Sequence, residues 1–281
     1  MIADFTQLLD AVNDLPMRTV AVAVAEKESI LDALKEAMRL NVARPLLVGC
    51  RARIEAAAEA AGLVLDDIET IDVSDDLLAA AEAARAVHEG RADILMKGHI
   101  QTDDFLRAVL DKEHGLRTGA IMSHVFVLET TARAKLTFVT DGAMNIEPDL
   151  ATKADIILNA VYLARCFGIA CPKVGVLAAV EVVNPAMPAT VDAAALTVMQ
   201  SRGQFPDCMI EGPLALDNAV CLEAARLKGL QGGIAGDCDI LVAPDIEAGN
   251  ILSKSFAFLA GGRSAGVLVG AAAPVVLTSR A

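Results

Sequence analysis

The sequence predicts an α/β protein of two lobes, each built on a parallel-rich sheet covered by helices. Three observations carry that expectation. Short apolar runs and amphipathic segments alternate along nearly all of the 281 residues, and regular βα alternation implies parallel strands joined by crossover helices. The hydrophobic content of 54%, with no Trp and one Tyr, comes largely from Ala, Val, Leu and Ile, the residues of packed helices and buried strands. Polar residues then fall directly after the apolar runs, and in an open parallel sheet the carboxyl ends of the strands are where ligands bind.

Residues 18–25 read as a buried strand and 29–40 as an amphipathic helix, followed by a strand at 45–49 and a helix at 51–61 that stops at Gly62. After a strand at 68–73, Ser74 caps a helix to about His88, with Asp75 and Asp76 in the first turn, where the helix dipole favours carboxylates. A strand at 92–96 leads to a helix capped by Thr102, running to about Lys112 and stopping near Gly115. Two runs, 124–129 and 135–140, follow without a helix between them and predict an antiparallel pair in an otherwise parallel sheet. A long helix spans 149–167 after Pro148; strands at 173–179, 208–211 and 239–243 then alternate with helices at 190–201, 216–227 and 246–259. Strands at 265–269 and 275–277 close the series. The break near residue 145 divides the chain into a first lobe, 1–145, and a second, 146–270, with 271–281 a strand returning toward the first.

A net charge of −13 argues against general binding to nucleic acid or anionic membranes, while a few local cations suffice for a small anion. Charges interrupt every apolar run before it is long enough to span a bilayer, and Met1-Ile2-Ala3-Asp4-Phe5 lacks the basic region of a signal peptide. The six cysteines, Cys50, Cys166, Cys171, Cys208, Cys221 and Cys238, form no C-x-x-C pair and read as small core residues in a reducing cytoplasm. His88, His99, His114 and His124 are scattered without metal-ligand spacing, so no metal site is expected; His99 alone falls on the proposed rim. Dinucleotide-binding, P-loop and G-x-S-x-G signatures are absent.

The ends of the apolar runs carry the chemistry. Lys97-Gly98-His99, Thr140-Asp141-Gly142, Glu181 with Asn184-Pro185, Glu211-Gly212-Pro213, Pro244-Asp245 with Gly249-Asn250, and Thr278-Ser279-Arg280 each follow one. In a parallel sheet such ends share one rim. Pro213, Pro244 and Gly142 read as turn residues. Lys97 and Arg280 read as functional, because each puts a cation directly after a buried strand, where a plain turn needs none. A Ser-Arg pair suits phosphate: the guanidinium forks onto two oxygens and the hydroxyl donates to a third.

Six ordered stretches resemble the phosphate acetyl/butyryltransferases. They are Leu95-Met96-Lys97-Gly98-His99-Ile100-Gln101-Thr102, Thr140-Asp141-Gly142-Ala143-Met144-Asn145-Ile146 and Val180-Glu181-Val182-Val183-Asn184-Pro185-Ala186-Met187-Pro188. They continue with Glu211-Gly212-Pro213-Leu214-Ala215-Leu216-Asp217-Asn218-Ala219, Pro244-Asp245-Ile246-Glu247-Ala248-Gly249-Asn250 and Leu277-Thr278-Ser279-Arg280. The chain is most similar to the butyryltransferase-like branch, including the transferase part of proteins with an upstream enoyl-CoA hydratase-like domain. The resemblance implies a fold similar to the isocitrate/isopropylmalate dehydrogenases, with the active site in the cleft between the lobes. It implies transfer of an acetyl or short-chain acyl group between CoA and phosphate, with no tightly bound cofactor, in a cytoplasmic homodimer or higher homo-oligomer. It assigns Ser279 and Arg280 to catalysis and Lys97, Gly98, His99, Thr140, Asp141, Asn145, Asn184, Asp217, Asn250 and Lys254 to substrate binding. It further implies additional active-site residues, including the candidate base for CoA, and a helix beyond Ala281.

Direct attack needs positioning and charge stabilisation rather than a protein nucleophile, since acyl phosphate and thioester are both activated. No cysteine is expected at a strand end. Two other functions compete. A metal-dependent hydroxyacid dehydrogenase on the related fold would need Asp141, Glu181, Asp217 and Asp245 to converge on a metal. A truncated module would bind CoA without catalysis.

Overall fold

The computed structural model describes residues 1–230 and 233–277. Its first elements are α1 (Phe5–Asn13), β1 (Arg18–Ala23), α2 (Glu28–Arg39), β2 (Ala43–Gly49), α3 (Arg51–Ala61), β3 (Thr70–Asp72), α4 (Asp76–His88), β4 (Ile94–Lys97) and α5 (Thr102–Val109). Then come β5 (Ser123–Glu129), β6 (Thr137–Thr140), α6 (Leu150–Cys166), β7 (Lys173–Leu177), α7 (Pro188–Ser201) and β8 (Met209–Leu214). The last are α8 (Leu216–Val220), α9 (Leu222–Leu227), β9 (Ile240–Val242), α10 (Ile246–Phe258), β10 (Arg263–Val269) and β11 (Val275–Val276). Among the described residues, no helix is long and apolar enough to cross a membrane.

The chain divides into two units: Leu9–Ala120 with the segment that begins at Gly270, and Ile121–Val269 with Met1–Leu8. In the first, strands run in the order β3-β2-β1-β4-β11, all parallel. Val20–Ala23 of β1 are buried, as a central parallel strand with both faces covered requires. Ile30, Leu31 and Leu34 of α2 join Ile54, Ala57, Ala58 and Ala61 of α3 in one core cluster with Val20 and Val22. The buried face of α4 is nearly all alanine, Ala79, Ala80, Ala83, Ala84 and Ala86 with Val87, and small side chains let a helix lie close on a sheet. Fully burying one Leu or Ile side chain contributes about 1.5–3 kcal/mol, so the stability of this unit rests on these layers.

In the second unit the order is β10-β5-β6-β9-β7-β8. β6, β9, β7 and β8 are parallel, and β5 runs antiparallel to both β6 and β10. The expected antiparallel pair is present, and β5 is the reversed member. One face is covered by α6 and α7 through Ile157, Ala160, Val161, Ala164, Ala193 and Leu196; the other carries Leu128, Val139, Leu177, Leu214 and Leu241 with Ala219 of α8 and Leu252 of α10. The expected break near residue 145 falls inside this unit, because β5 and β6 take their hydrogen-bonded partners from β10 and β9.

The structure departs from the sequence expectation at several element ends. Nothing before residue 18 reads as regular structure, yet α1 forms; none of its residues is fully buried, so it carries no core stripe to read. It is tied down by Phe5 N donating to Glu129 Oε2 at 2.7 Å and by Arg263 over the Phe5 ring. Asp75, not Ser74, caps α4, accepting from Leu77 N and Leu78 N. Thr102 is the first helical residue of α5 rather than its cap, and the helix ends at Val109. The helix expected over 216–227 is broken at Cys221, and β8 runs on to Leu214 through Gly212-Pro213. Of the cysteines only Cys208 and Cys238 are buried; Cys166, Cys171 and Cys221 are exposed and Cys50 is partly so. Burial pushes the Cys208 thiol up to about 11 and the Cys238 thiol up to about 12.

Candidate active site

In the 121–269 unit the strand register puts the segments after β6, β9, β7 and β8 on one edge. Thr140 lies opposite Val242, Val242 opposite Val176, and Leu177 opposite Leu214. Thr140 is buried, and its hydroxyl donates to the His124 carbonyl at 3.1 Å. Asp141 follows across a cis peptide bond. Its carboxylate, buried at 3% exposure, accepts from the backbone N–H of Ala143 at 2.9 Å, Met144 at 3.1 Å and Asn145 at 3.2 Å, and from Asn145 Nδ2 at 2.7 Å. Asn145 Nδ2 also donates to the Met122 carbonyl at 2.9 Å. Both side chains therefore build the loop that carries them.

The first turns of α10 lock onto that loop. Asn250 Nδ2 donates to the Gly142 carbonyl at 2.9 Å. A Cβ at Gly249 would sit 2.2 Å from the Asp141 carbonyl oxygen, so only glycine admits this approach. Asp245 caps α10 by accepting from Ala248 N at 2.8 Å. Lys254 is exposed one turn beyond Asn250.

Beneath the loop lies His124, a residue that sequence reasoning treated as one of four scattered histidines. It is 3% exposed, and its ring meets Phe126 edge to face at 4.3 Å between centroids. Burial pushes its pKa down to about 4, against the pull of the Asp141 charge. The imidazole is thus neutral at physiological pH, and its Nδ1 is buried without a hydrogen-bond partner, as are Asn218 Oδ1 and Ser253 Oγ. Period-two alternation in β5 marks His124 as facing the same way as Phe126 and Leu128, the signal that could have found it.

The loops after β7 and β8 are also self-anchored. Glu181 accepts from Lys228 Nζ at 3.1 Å and Asn218 Nδ2 at 3.5 Å, and the Lys228 hydrogen bond holds its carboxyl below the ordinary value. Asn184 Oδ1 accepts from Ala186 N at 3.0 Å, and Asn184 N donates to Thr190 Oγ1 at 2.9 Å. Asp217 is exposed in the first turn of α8. The carboxylates of Asp141, Glu181, Asp217 and Asp245 do not converge: among the described residues there is no group of three or more His, Cys, Asp or Glu that could hold a metal ion.

In the 9–120 unit the corresponding edge carries Lys97, Gly98 and His99. Lys97 ends β4 at 2% exposure, and its Nζ donates to the carbonyls of Ile100 at 2.9 Å and Gly98 at 3.3 Å. Gly98 N and His99 N donate to the carbonyls of Ala23 and Val24. A Cβ at Gly98 would lie 2.3 Å from the Val24 carbonyl oxygen, which is why lysine is followed by glycine. His99 is exposed. Cys50 does sit at a strand end, between β2 and α3, contrary to expectation. Hydrogen bonding from the Arg53 N–H leads the causes that lower its thiol pKa. Arg53 is paired with Glu26, whose carboxylate accepts from Cys50 N at 2.7 Å. Ser279 and Arg280 lie outside the described residues; β11, which precedes them, pairs Val276 with Met96, the neighbour of Lys97.

Comparison with known proteins decides the family. The profile of the family described as phosphate acetyl/butaryl transferase matches residues 75–281. The chain belongs to this family. A phosphate butyryltransferase of Clostridium beijerinckii is 47% identical over 281 residues, covering 100% of this chain and 93% of that protein. A phosphate acetyltransferase of Rhizobium meliloti is 42% identical over 268 residues, covering 95% and 84%. The crystal structure of a branched-chain phosphotransacylase from Enterococcus faecalis superposes with a TM-score of 0.84 at 36% identity, covering 94% of this chain and 93% of that one. A 4-hydroxythreonine-4-phosphate dehydrogenase from Klebsiella pneumoniae shares the fold alone, with a TM-score of 0.57 at 15% identity over 94% and 91%. The fold is thus common to phosphotransacylases and a dehydrogenase, while the sequence relationship is with the transferases.

Proposed function

We propose that the chain catalyses acyl-CoA + phosphate ⇌ acyl phosphate + CoA, with butyryl and other short acyl groups preferred. The observation that carries this is identity of 47% to a phosphate butyryltransferase along the whole chain. In the phosphorolytic direction a phosphate oxygen attacks the thioester carbonyl, the C–S bond breaks and CoA leaves as its thiolate. In reverse the CoA thiolate attacks the acyl phosphate carbonyl and the C–O bond to phosphate breaks. Neither step needs a protein nucleophile or a redox partner.

The work of the protein is then to position substrates and stabilise charge. Arg280 neutralises phosphate in its forked contact and Ser279 donates to a phosphate or carbonyl oxygen. Lys97, with its carbonyl partners, and exposed Lys254 attract the anionic oxygens. Asp141, Asn145 and Asn250 are positioning residues: their hydrogen bonds shape the 140–146 loop that faces the substrates. Gly98 and His99 shape the corresponding turn after β4; Thr140 ties the start of the 140–146 loop to β5, and Asn184 and Asp217 follow β7 and β8. The protein acts in the cytoplasm as a homodimer or larger assembly, which sedimentation would check.

The test is release of free CoA from butyryl-CoA and acetyl-CoA with and without phosphate. Release that requires phosphate and is faster with butyryl-CoA is expected; release indifferent to phosphate means hydrolysis and overturns the proposal. Arg280→Ala should lower turnover by about a thousandfold, the scale of removing one charge-stabilising group, and near-normal turnover contradicts its role.

A further inference from the structure

α6 buries Ile156, Ile157, Ala160, Val161 and Ala164 against its sheet, and its opposite face is not that of a simply solvated helix. The exposed residues Ala151, Asp155, Leu158, Tyr162 and Arg165 follow one another at spacings of four, three, four and three. That is the period of a seam packed against another helix. Tyr162, the one tyrosine of the chain, is 65% exposed, and Leu158 is 38% exposed. Beside them opens a cleft of about 450 Å³ lined by Leu158, Val161, Tyr162, Arg165, Cys166 and Pro206. A single exposed leucine needs no explanation; an apolar pair in seam register beside a cleft does. Tyrosine, with an apolar ring and a polar tip, is enriched where proteins meet.

The seam is complementary to itself, as an isologous contact about a two-fold axis requires. With a second α6 laid antiparallel and the axis at position 160, Leu158 falls opposite the other copy's Tyr162, and Asp155 opposite its Arg165. A parallel pairing would set Asp155 against Asp155 and Arg165 against Arg165, and like charges reject it. Arg165 Nη1 bonds Asp207 Oδ2 at 2.7 Å, and a guanidinium carries five donors, so it has capacity for a second carboxylate. Resting on the reading that the protein acts as a homo-oligomer, we infer that two copies of this chain meet through the exposed face of α6, antiparallel. Tyr162 of each packs on Leu158 of the other at the cleft, and Asp155–Arg165 pairs close both ends. A stable interface takes about 800 Å² from each partner, more than one seam supplies. α7, packed beside α6 over the same core, adds the exposed Val191 and Val198, seven residues apart and so on one face.

The test is sedimentation of the full chain and of two variants, Asp155→Arg and Arg165→Asp, each alone and then mixed. Either variant alone brings like charges together at both ends of the seam, and its dissociation constant is expected to rise at least about tenfold. The mixture restores opposite charges at both ends and is expected to recover the assembly as a mixed dimer. Both positions are exposed, so circular dichroism should be unchanged. The chain has one tyrosine and no tryptophan, so tyrosine fluorescence of the unaltered protein reports on this seam alone. It is expected to change on dilution in step with dissociation. An assembly that neither variant weakens puts the contact on another face and overturns the inference. A mixture that does not reassemble overturns it too, as does a tyrosine signal indifferent to dissociation. A chain monomeric at every concentration overturns the homo-oligomer reading itself, a result distinct from the others.

Discussion

At the amino ends of β6, β7 and β9, charge is met by opposite charge. Lys135 Nζ contacts Asp237 at 2.7 Å and Asp239 at 2.6 Å, Lys173 Nζ contacts Asp237 at 2.5 Å, and Lys173 N donates to Asp239 Oδ2 at 2.9 Å. Arg133 donates to Thr137 Oγ1 at 2.7 Å and to the Cys238 carbonyl at 2.8 Å. At the carboxyl ends of the same strands, Asp141 and Asp245 serve backbone N–H groups, Glu181 meets the half-exposed Lys228, glycine replaces side chain where backbones touch, and His124 Nδ1 and Asn218 Oδ1 are left buried without partners. One end is closed by a cluster of charge pairs and the other, with a single ion pair among the described residues, is shaped at a cost in unsatisfied polar groups. The difference teaches that this sheet concentrates charge pairing at one edge and leaves the other to the recognition role proposed for it.

Substitutions on the two edges should therefore separate stability from activity. The largest effect is expected from Gly249→Ala: with a carbonyl oxygen 2.2 Å from the new Cβ, α10 must move off the Asp141 loop, a loss of about 3 kcal/mol with activity abolished, read by denaturant unfolding and by CoA release. Asp239→Asn, at the paired edge, removes the 5%-exposed carboxylate from Lys135. It should lower stability by about 3 kcal/mol while leaving the KM for both substrates unaltered. Activity lost in proportion to stability at both sites breaks the contrast.

The pH dependence sharpens it further. His124 titrates near 6.5 in the unfolded chain and is held at about 4 in the fold by burial. Folding therefore favours the neutral ring: its stability is whole above pH 6.5 and declines as pH falls from 6.5 to 4, while the unfolded state takes up the proton first. The decline is at most about 3 kcal/mol. Asp141 is the charged group acting on this ring. Urea unfolding of the protein and of His124→Gln across this window should show a shallower acid slope in the variant; parallel slopes contradict the burial. Asp141→Asn should have the smallest effect on stability, about 2 kcal/mol from weakened charge-assisted bonds, but should lower kcat about tenfold, whereas Asp239→Asn should not.

Alternation made the element order legible, and the stop at Gly62 is where the sequence puts it, with a left-handed φ of 61°. Strand-end position likewise singled out Lys97, Asp141 and Asn250 before any contact was known. What eluded sequence is what needs three dimensions. Asp141 and Asn145 stand together in a motif, but their bonds to one another, to their own loop and to the Met122 carbonyl needed the fold to be seen. Asp75 outcompetes Ser74 as a cap because its carboxylate reaches two N–H groups. His124 sits in a run that reads as plain strand, and only its burial beside Phe126 makes it a neutral ring whose Nδ1 lacks a partner. The break near 145 misled because strand partnership, not helix length, decides to which unit β5 and β6 belong.

The most direct test of the proposed reaction is phosphorus NMR of the protein with butyryl-CoA and inorganic phosphate, alongside a thiol assay. A growing acyl phosphate resonance, matched mole for mole by free CoA and absent without phosphate, is the predicted result. Free CoA accumulating with no acyl phosphate would contradict it, and neither product from folded, CoA-binding protein would make the chain a binding module.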